Sequence, residues 1–156
     1  MTTTLPVETH TPAQPARVCM VSLAGYCFAV EVRFSREVVV LDEYTVVPLA
    51  PAHLLGVANL RGNVVPLVDV RPLLGVPPAT AGREVRALMV ERDGVQLALL
   101  IDEVLGLEPL GGLTRRANEV DLIAGHLARD GQSVTLVDMS ALVAALGGAD
   151  KTTEVQ

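Results

Sequence analysis

The feature that most constrains this chain is an internal repeat with a fixed offset of 69 residues. That shift carries Met20 and Val21 onto Met89 and Val90, Gly25 onto Gly94, and Ala29 onto Ala98. It also carries Gly56 onto Gly125, Gly62 onto Gly131, and Leu67-Val68-Asp69 onto Leu136-Val137-Asp138. Fourteen of the 57 ungapped pairs starting at Arg17/Arg86 are identical, where ordinary residue usage gives about four or five by chance. Two copies of one small unit therefore build the protein. Residues kept in both copies are expected to serve the shape of the unit, and charges found in one copy only are the better candidates for function.

Half of the residues are apolar, yet there are two Phe, two Tyr and no Trp. The core must therefore be aliphatic, which suits half-buried strands. A net charge of −6 with no basic stripe excludes a nucleic-acid binder. Cys19 and Cys27 fit neither a disulfide framework nor a metal spacing and read as buried thiols. Residues 1–16, rich in Thr and Pro, read as a disordered leader rather than a signal peptide, and 149–156 as a flexible tail. The apolar run Leu97–Ile101 is too short to insert in a membrane.

Between the tails the pattern has mostly period two. Phe28, Val30 and Val32 alternate with Ala29, Glu31 and Arg33, which predicts a strand with one wet face. Cys19, Val21 and Leu23 line the strand before it, and Gly25-Tyr26 joins the two as a hairpin. Leu88–Arg92, Asp93-Gly94 and Val95–Ile101 repeat the arrangement in the second copy. Asn63–Val68 and Ser133–Val137 read as closing strands, with Gly56, Gly62, Gly125 and Gly131 as turn glycines. Asp69 and Asp138 are expected to cap short helices over Val70–Leu74 and Ser140–Leu146. Pro77-Pro78 and Gly82 mark the join between copies. Together these elements predict a mostly β protein of two small barrels related by a pseudo-twofold axis, lobe one over about 17–80 and lobe two over about 84–148, with a short C-terminal helix.

No catalytic constellation emerges. Paired aspartates in a duplicated β protein raise an aspartic-protease dyad, but Asp69 is followed by Val70-Arg71 and Asp138 by Met139-Ser140, without the glycines such a site needs. His10, His53 and His126 are scattered, no serine has a nucleophile-elbow context, and no phosphate loop is present. The expectation is a protein that is not an enzyme and uses no metal or cofactor. The asymmetries between copies say more. Arg61 falls opposite Asp130, and Glu37 opposite Gly106. If their strands are adjacent, Glu37 and Arg61 form a bidentate ion pair. Val38-Val39-Val40-Leu41 beside Glu37 leaves aliphatics on an outer face.

The run from Gly56 to Asp69, GVANLRGNVVPLVD, resembles the hallmark of the CheW family of chemotaxis coupling proteins. The resemblance extends through Arg36-Glu37-Val38, Pro48 and Pro51, Ile101-Asp102-Glu103-Val104 and Ile123-Ala124-Gly125, and covers residues 17–147. It implies a single domain over 17–148 with two five-stranded SH3-like lobes and a groove between them. It further implies a cytoplasmic, non-catalytic adaptor at membrane-associated arrays. Its partners would be the cytoplasmic tip of a methyl-accepting chemoreceptor and the regulatory domain of a CheA-type histidine kinase. Arg61 and Glu37 match the family's Arg–Glu pair, and the surface implied for partner binding or its support is Phe34, Ser35, Glu37, Val38, Asn59 and Arg61. Ser35 stands where the family usually has an aliphatic residue. A paralogous scaffold in a non-flagellar chemosensory pathway, such as twitching or gliding motility, is the alternative.

Overall fold

A computed structural model describes residues 16–75, 85–115 and 120–146. The expected leader, the tail and the Pro77-Pro78 join lie outside these residues, Ala16 excepted. Ten strands follow in chain order: β1 (Arg17–Leu23), β2 (Tyr26–Glu31), β3 (Ser35–Leu41), β4 (Leu54–Leu60), β5 (Asn63–Val68), β6 (Val85–Arg92), β7 (Val95–Ile101), β8 (Glu103–Pro109), β9 (Ile123–Arg129) and β10 (Gln132–Val137). Two short α-helices accompany them, α1 (Arg71–Leu74) and α2 over residues 139–146, and Val32–Phe34 form a single 3₁₀ turn where Val32 and Arg33 were expected to continue the strand.

Four tight hairpins punctuate the chain at Ala24-Gly25, Arg61-Gly62, Asp93-Gly94 and Asp130-Gly131. In each, both central residues have positive φ, for example 54° at Arg61 and 87° at Gly62. This is the type I′ geometry whose twist matches the flanking strands, and glycine in second place removes the Cβ clash.

The strands form two five-stranded sheets, ordered β3-β6-β7-β5-β4 and β8-β1-β2-β10-β9. Exchanging each strand for its repeat partner converts one order into the other, as a pseudo-twofold requires. The lobes do not follow the copies, however. A sequential division near residue 80 would place β1 and β2 with β3–β5. Instead hairpin β1–β2 joins β8–β10, and hairpin β6–β7 joins β3–β5. Each exchanged hairpin meets the other copy at two seams: an antiparallel one, β1 to β8 or β6 to β3, and a short parallel one, with Leu136 beside Ala29 or Leu67 beside Ala98.

The exchange explains a second departure from the expected pattern. Hairpin β1–β2 has no wet face: Ala29 is as buried as Val30 and Phe28. One face, with Val18, Met20 and Ala29, packs on Leu127, Val134 and Leu136 inside the second lobe. The other, with Cys19, Val21, Phe28 and Val30, joins a larger cluster holding Leu88, Val90, Leu97 and Leu99. Burial on both faces is why these segments read as nearly continuous apolar runs. Burial also pushes the Cys19 thiol pKa up.

Gly56 and Gly125 were expected in turns and lie instead inside β4 and β9. Both sit where a crossing segment pairs with the strand, Thr45 with Val57 and Thr114 with His126. A Cβ at Gly56 would stand 2.4 Å from the Thr45 carbonyl oxygen, and one at Gly125 2.8 Å from that of Thr114. Absence of a side chain, not a positive φ, is what these positions require. Gly56→Ala should therefore destabilise the protein by about 1–3 kcal/mol, read from the urea midpoint. An unchanged midpoint would show that residues 44–45 yield freely.

Candidate functional site

Neither sheet closes on itself. The free edges are β3 and β4 in the first lobe and β8 and β9 in the second. Near their middles β4 and β9 are covered by the crossing residues Thr45 and Thr114. At the far end the gap is spanned by side chains. Glu37 on β3 accepts two hydrogen bonds from Arg61 in the β4–β5 turn, from Nη1 to Oε2 at 2.5 Å and Nη2 to Oε1 at 2.9 Å. The type I′ turn holds Arg61 at the tip, and the Asn59 side-chain oxygen accepts the Gly62 N–H at 3.0 Å. The bonds from Arg61 hold the Glu37 carboxyl below its ordinary range and push the Arg61 guanidinium up. Both side chains are solvent-exposed, so the strap is a locator of the edges more than a source of stability.

The other residues expected at this surface separate. Val38 is exposed on the open edge of β3, as is Val40. Ser35 turns inward enough to donate its hydroxyl to the Glu31 carbonyl at 3.2 Å. Phe34 is buried in the core, with the guanidiniums of Arg33 and Arg92 lying 4.5 and 4.9 Å from its ring centre. Its face is covered by cations, so its contribution to a partner surface is indirect. The pseudo-equivalent edge, β8, exposes Val104, Leu105 and Leu107. Two free strand edges carrying aliphatics are surfaces made for burial against another protein.

Two ionic features carried no sequence signal of their own. Arg129 closes the second lobe in place of the missing Glu37–Arg61 strap, donating from Nη2 to the Pro109 carbonyl at 2.6 Å, with Nε 3.5 Å from Glu108. Its repeat counterpart is Leu60, so alignment of the copies conceals it. Asp69, expected as a helix cap, is mainly half of a buried ion pair. Arg71 donates to it from Nε at 2.9 Å and Nη2 at 2.7 Å, and its backbone N–H from 3.0 Å. Both side chains are about 95% buried. Hydrogen bonding to Asp69 pushes the Arg71 guanidinium up. Asp138 does cap α2, accepting the Ala141 N–H at 3.1 Å.

Residues 17–147 match the family of CheW-like domains. The chain belongs to that family. It is 32% identical over 125 residues to the probable chemotaxis protein CheW of Rhizobium etli, spanning 74% of this chain and 79% of that one. It is 35% identical over 72 residues to protein PilI of Pseudomonas aeruginosa, 46% of this chain and 40% of that one. In fold it is similar to the scaffolding protein TtCheW of Thermoanaerobacter tengcongensis, with TM-score 0.69 and 21% identity over 80% of this chain and 90% of that one. CheW-like proteins are non-catalytic scaffold and coupling proteins, and their SH3-like architecture is the one described above. Among the described residues, no helix is long and apolar enough to cross a membrane.

Two outcomes check the ionic assignments. The Glu37 carboxyl should titrate below 4.5, its ordinary value, and return towards it in Arg61→Ala, followed by carbon NMR. Because the folded pKa is the lower one, any stability the strap adds is present above the ordinary range and lost as pH falls through the folded value. Asp69→Ala should cost about 3–5 kcal/mol by leaving a buried guanidinium unpaired. Adding Arg71→Met should recover much of that loss in urea unfolding. No recovery would mean that Arg71 is held by something other than Asp69.

Proposed function

We propose that this protein is a cytoplasmic adaptor that couples methyl-accepting chemoreceptors to the regulatory domain of a CheA-type histidine kinase at membrane-associated arrays. The observation that carries this reading is the pair of pseudo-equivalent open edges, β3 and β8, each exposing aliphatic side chains. One molecule with two such surfaces can touch two neighbours at once, which is what coupling by geometry needs. The Glu37–Arg61 strap holds the first edge in register beside Val38.

A second reading has its own support. Similarity to protein PilI over 72 residues favours a paralogous scaffold in a chemosensory pathway other than flagellar chemotaxis. The two readings share the fold and differ in the cognate receptor and kinase.

Calorimetry against a CheA-type regulatory domain and a receptor cytoplasmic fragment tests the adaptor role. Binding to both is expected, with Arg61→Ala lowering kinase activation in a reconstituted array several-fold at unchanged fold. Binding to neither would reject the reading. Full activation by Arg61→Ala would remove the strap from the mechanism.

A further inference from the structure

The repeat allows one site to be compared with itself. Around the first-lobe strap, Glu37, Leu60, Arg61, Asn63, Met89 and Gln96 enclose a recess of about 70 Å³. Their repeat counterparts, Gly106, Arg129, Asp130, Gln132, Met20 and Cys27, enclose one of about 170 Å³ in the second lobe. The floor is a methionine in both. What differs is the strap: the carboxylate of Glu37 is replaced by hydrogen at Gly106, and the guanidinium of Arg61 by the carboxylate of Asp130. A Cβ built at Gly106 meets no atom within 4 Å, so the place of the missing side chain is open.

The charges left behind have a definite sign. All three Arg129 nitrogens are engaged, Nη1 with the Ala128 carbonyl at 2.8 Å, Nη2 with that of Pro109 and Nε with Glu108. That engagement compensates Glu108. Asp130, exposed at the tip of the β9–β10 turn, has no ion-pair partner among the described residues. The recess thus has one uncompensated carboxylate on its rim, the exposed side chain of Leu105 on one wall and Met20 and Val134 beneath.

We propose that this recess receives an arginine side chain from a partner protein. Its guanidinium would pair with Asp130 and its methylene stem would lie along Leu105 and Met20. The contact would rebuild between two proteins the carboxylate–guanidinium pair that the first lobe makes within itself. A planar fork satisfies a carboxylate bidentately, and an apolar stem suits the aliphatic wall. An anion is disfavoured by Asp130, and Arg129, the guanidinium that lines the recess among the described residues, is already engaged. The proposal rests on the adaptor reading in taking the occupant from a protein partner.

N-acetyl-arginine amide is the probe, with its citrulline analogue as the uncharged control, titrated into ¹⁵N-labelled protein. Saturable shifts at the amides of Gly106, Asp130 and Gln132 are expected with arginine and not with citrulline. Asp130→Asn tolerates the same positive φ and removes the charge. It should weaken the arginine response roughly fivefold at low salt. Asp130→Arg, which installs the first-lobe cation, should abolish the response while the remaining spectrum stays native. Equal shifts with citrulline, or an undiminished response in either variant, would overturn the proposal. The same variants are then measured against the kinase regulatory domain and the receptor fragment. Weakened binding of Asp130→Asn to one of them supports the assignment, and unweakened binding to both overturns it. If the wild type binds neither, the adaptor reading fails, while the arginine titration still decides whether the recess selects guanidinium.

Discussion

Everything in this molecule depends on the exchange of two hairpins across the pseudo-twofold. Each sheet takes its middle, β1–β2 or β6–β7, from one copy and its remaining three strands from the other. On one side each hairpin joins its sheet by an antiparallel pairing, and on the other by a short parallel one in which a buried alanine, Ala29 or Ala98, lies beside a buried leucine. Because each exchanged hairpin must satisfy the interior of one lobe and the junction between lobes, both of its faces are apolar. An aliphatic composition follows. Small and branched side chains fill two thin cores, and neither lobe is complete without chain from both copies.

The same arrangement leaves the sheet edges as the exposed part of the design. Backbone pairing covers β4 and β9 at Thr45 and Thr114, and glycines at positions 56 and 125 permit that close crossing. Farther along, side chains take over. The first lobe uses Glu37 and Arg61, the second Arg129 with Glu108 and the Pro109 carbonyl. These straps bind opposite edges without covering β3 or β8, whose aliphatics remain available. A scaffold needs this combination, edges fixed in position yet unpaired.

Much of this was legible in the sequence because it is encoded locally. Strands, tight turns at Gly62 and Gly131, the cap at Asp138 and the opposed charges Glu37 and Arg61 each leave a short-range mark. The hairpin exchange does not, since a hairpin has the same pattern whichever sheet receives it. Gly56 and Gly125 were misplaced because glycine is the same letter whether a turn needs its φ or a neighbour needs its missing Cβ. Asp69 shows the limit for charges: its proximity to α1 advertised a cap, while nothing in the sequence marked Arg71, two residues on, as its buried partner. Phe34 flanks the motif that carries the family likeness, yet its ring belongs to the core.

Hairpin exchange also sets an order for synthesis. β1 is made before its partners: its edge partner β8 begins at Glu103, and the neighbour of β2, β10, begins at Gln132. Until those strands are made, hairpin β1–β2 has apolar residues on both faces and no sheet to join. The first copy cannot finish folding ahead of the second, as an independent N-terminal domain would. Long-range pairings of this kind fold slowly, because the loop-closure cost comes before the contacts that offset it. A duplication that looks modular in sequence has made a protein in which neither copy can complete a sheet alone.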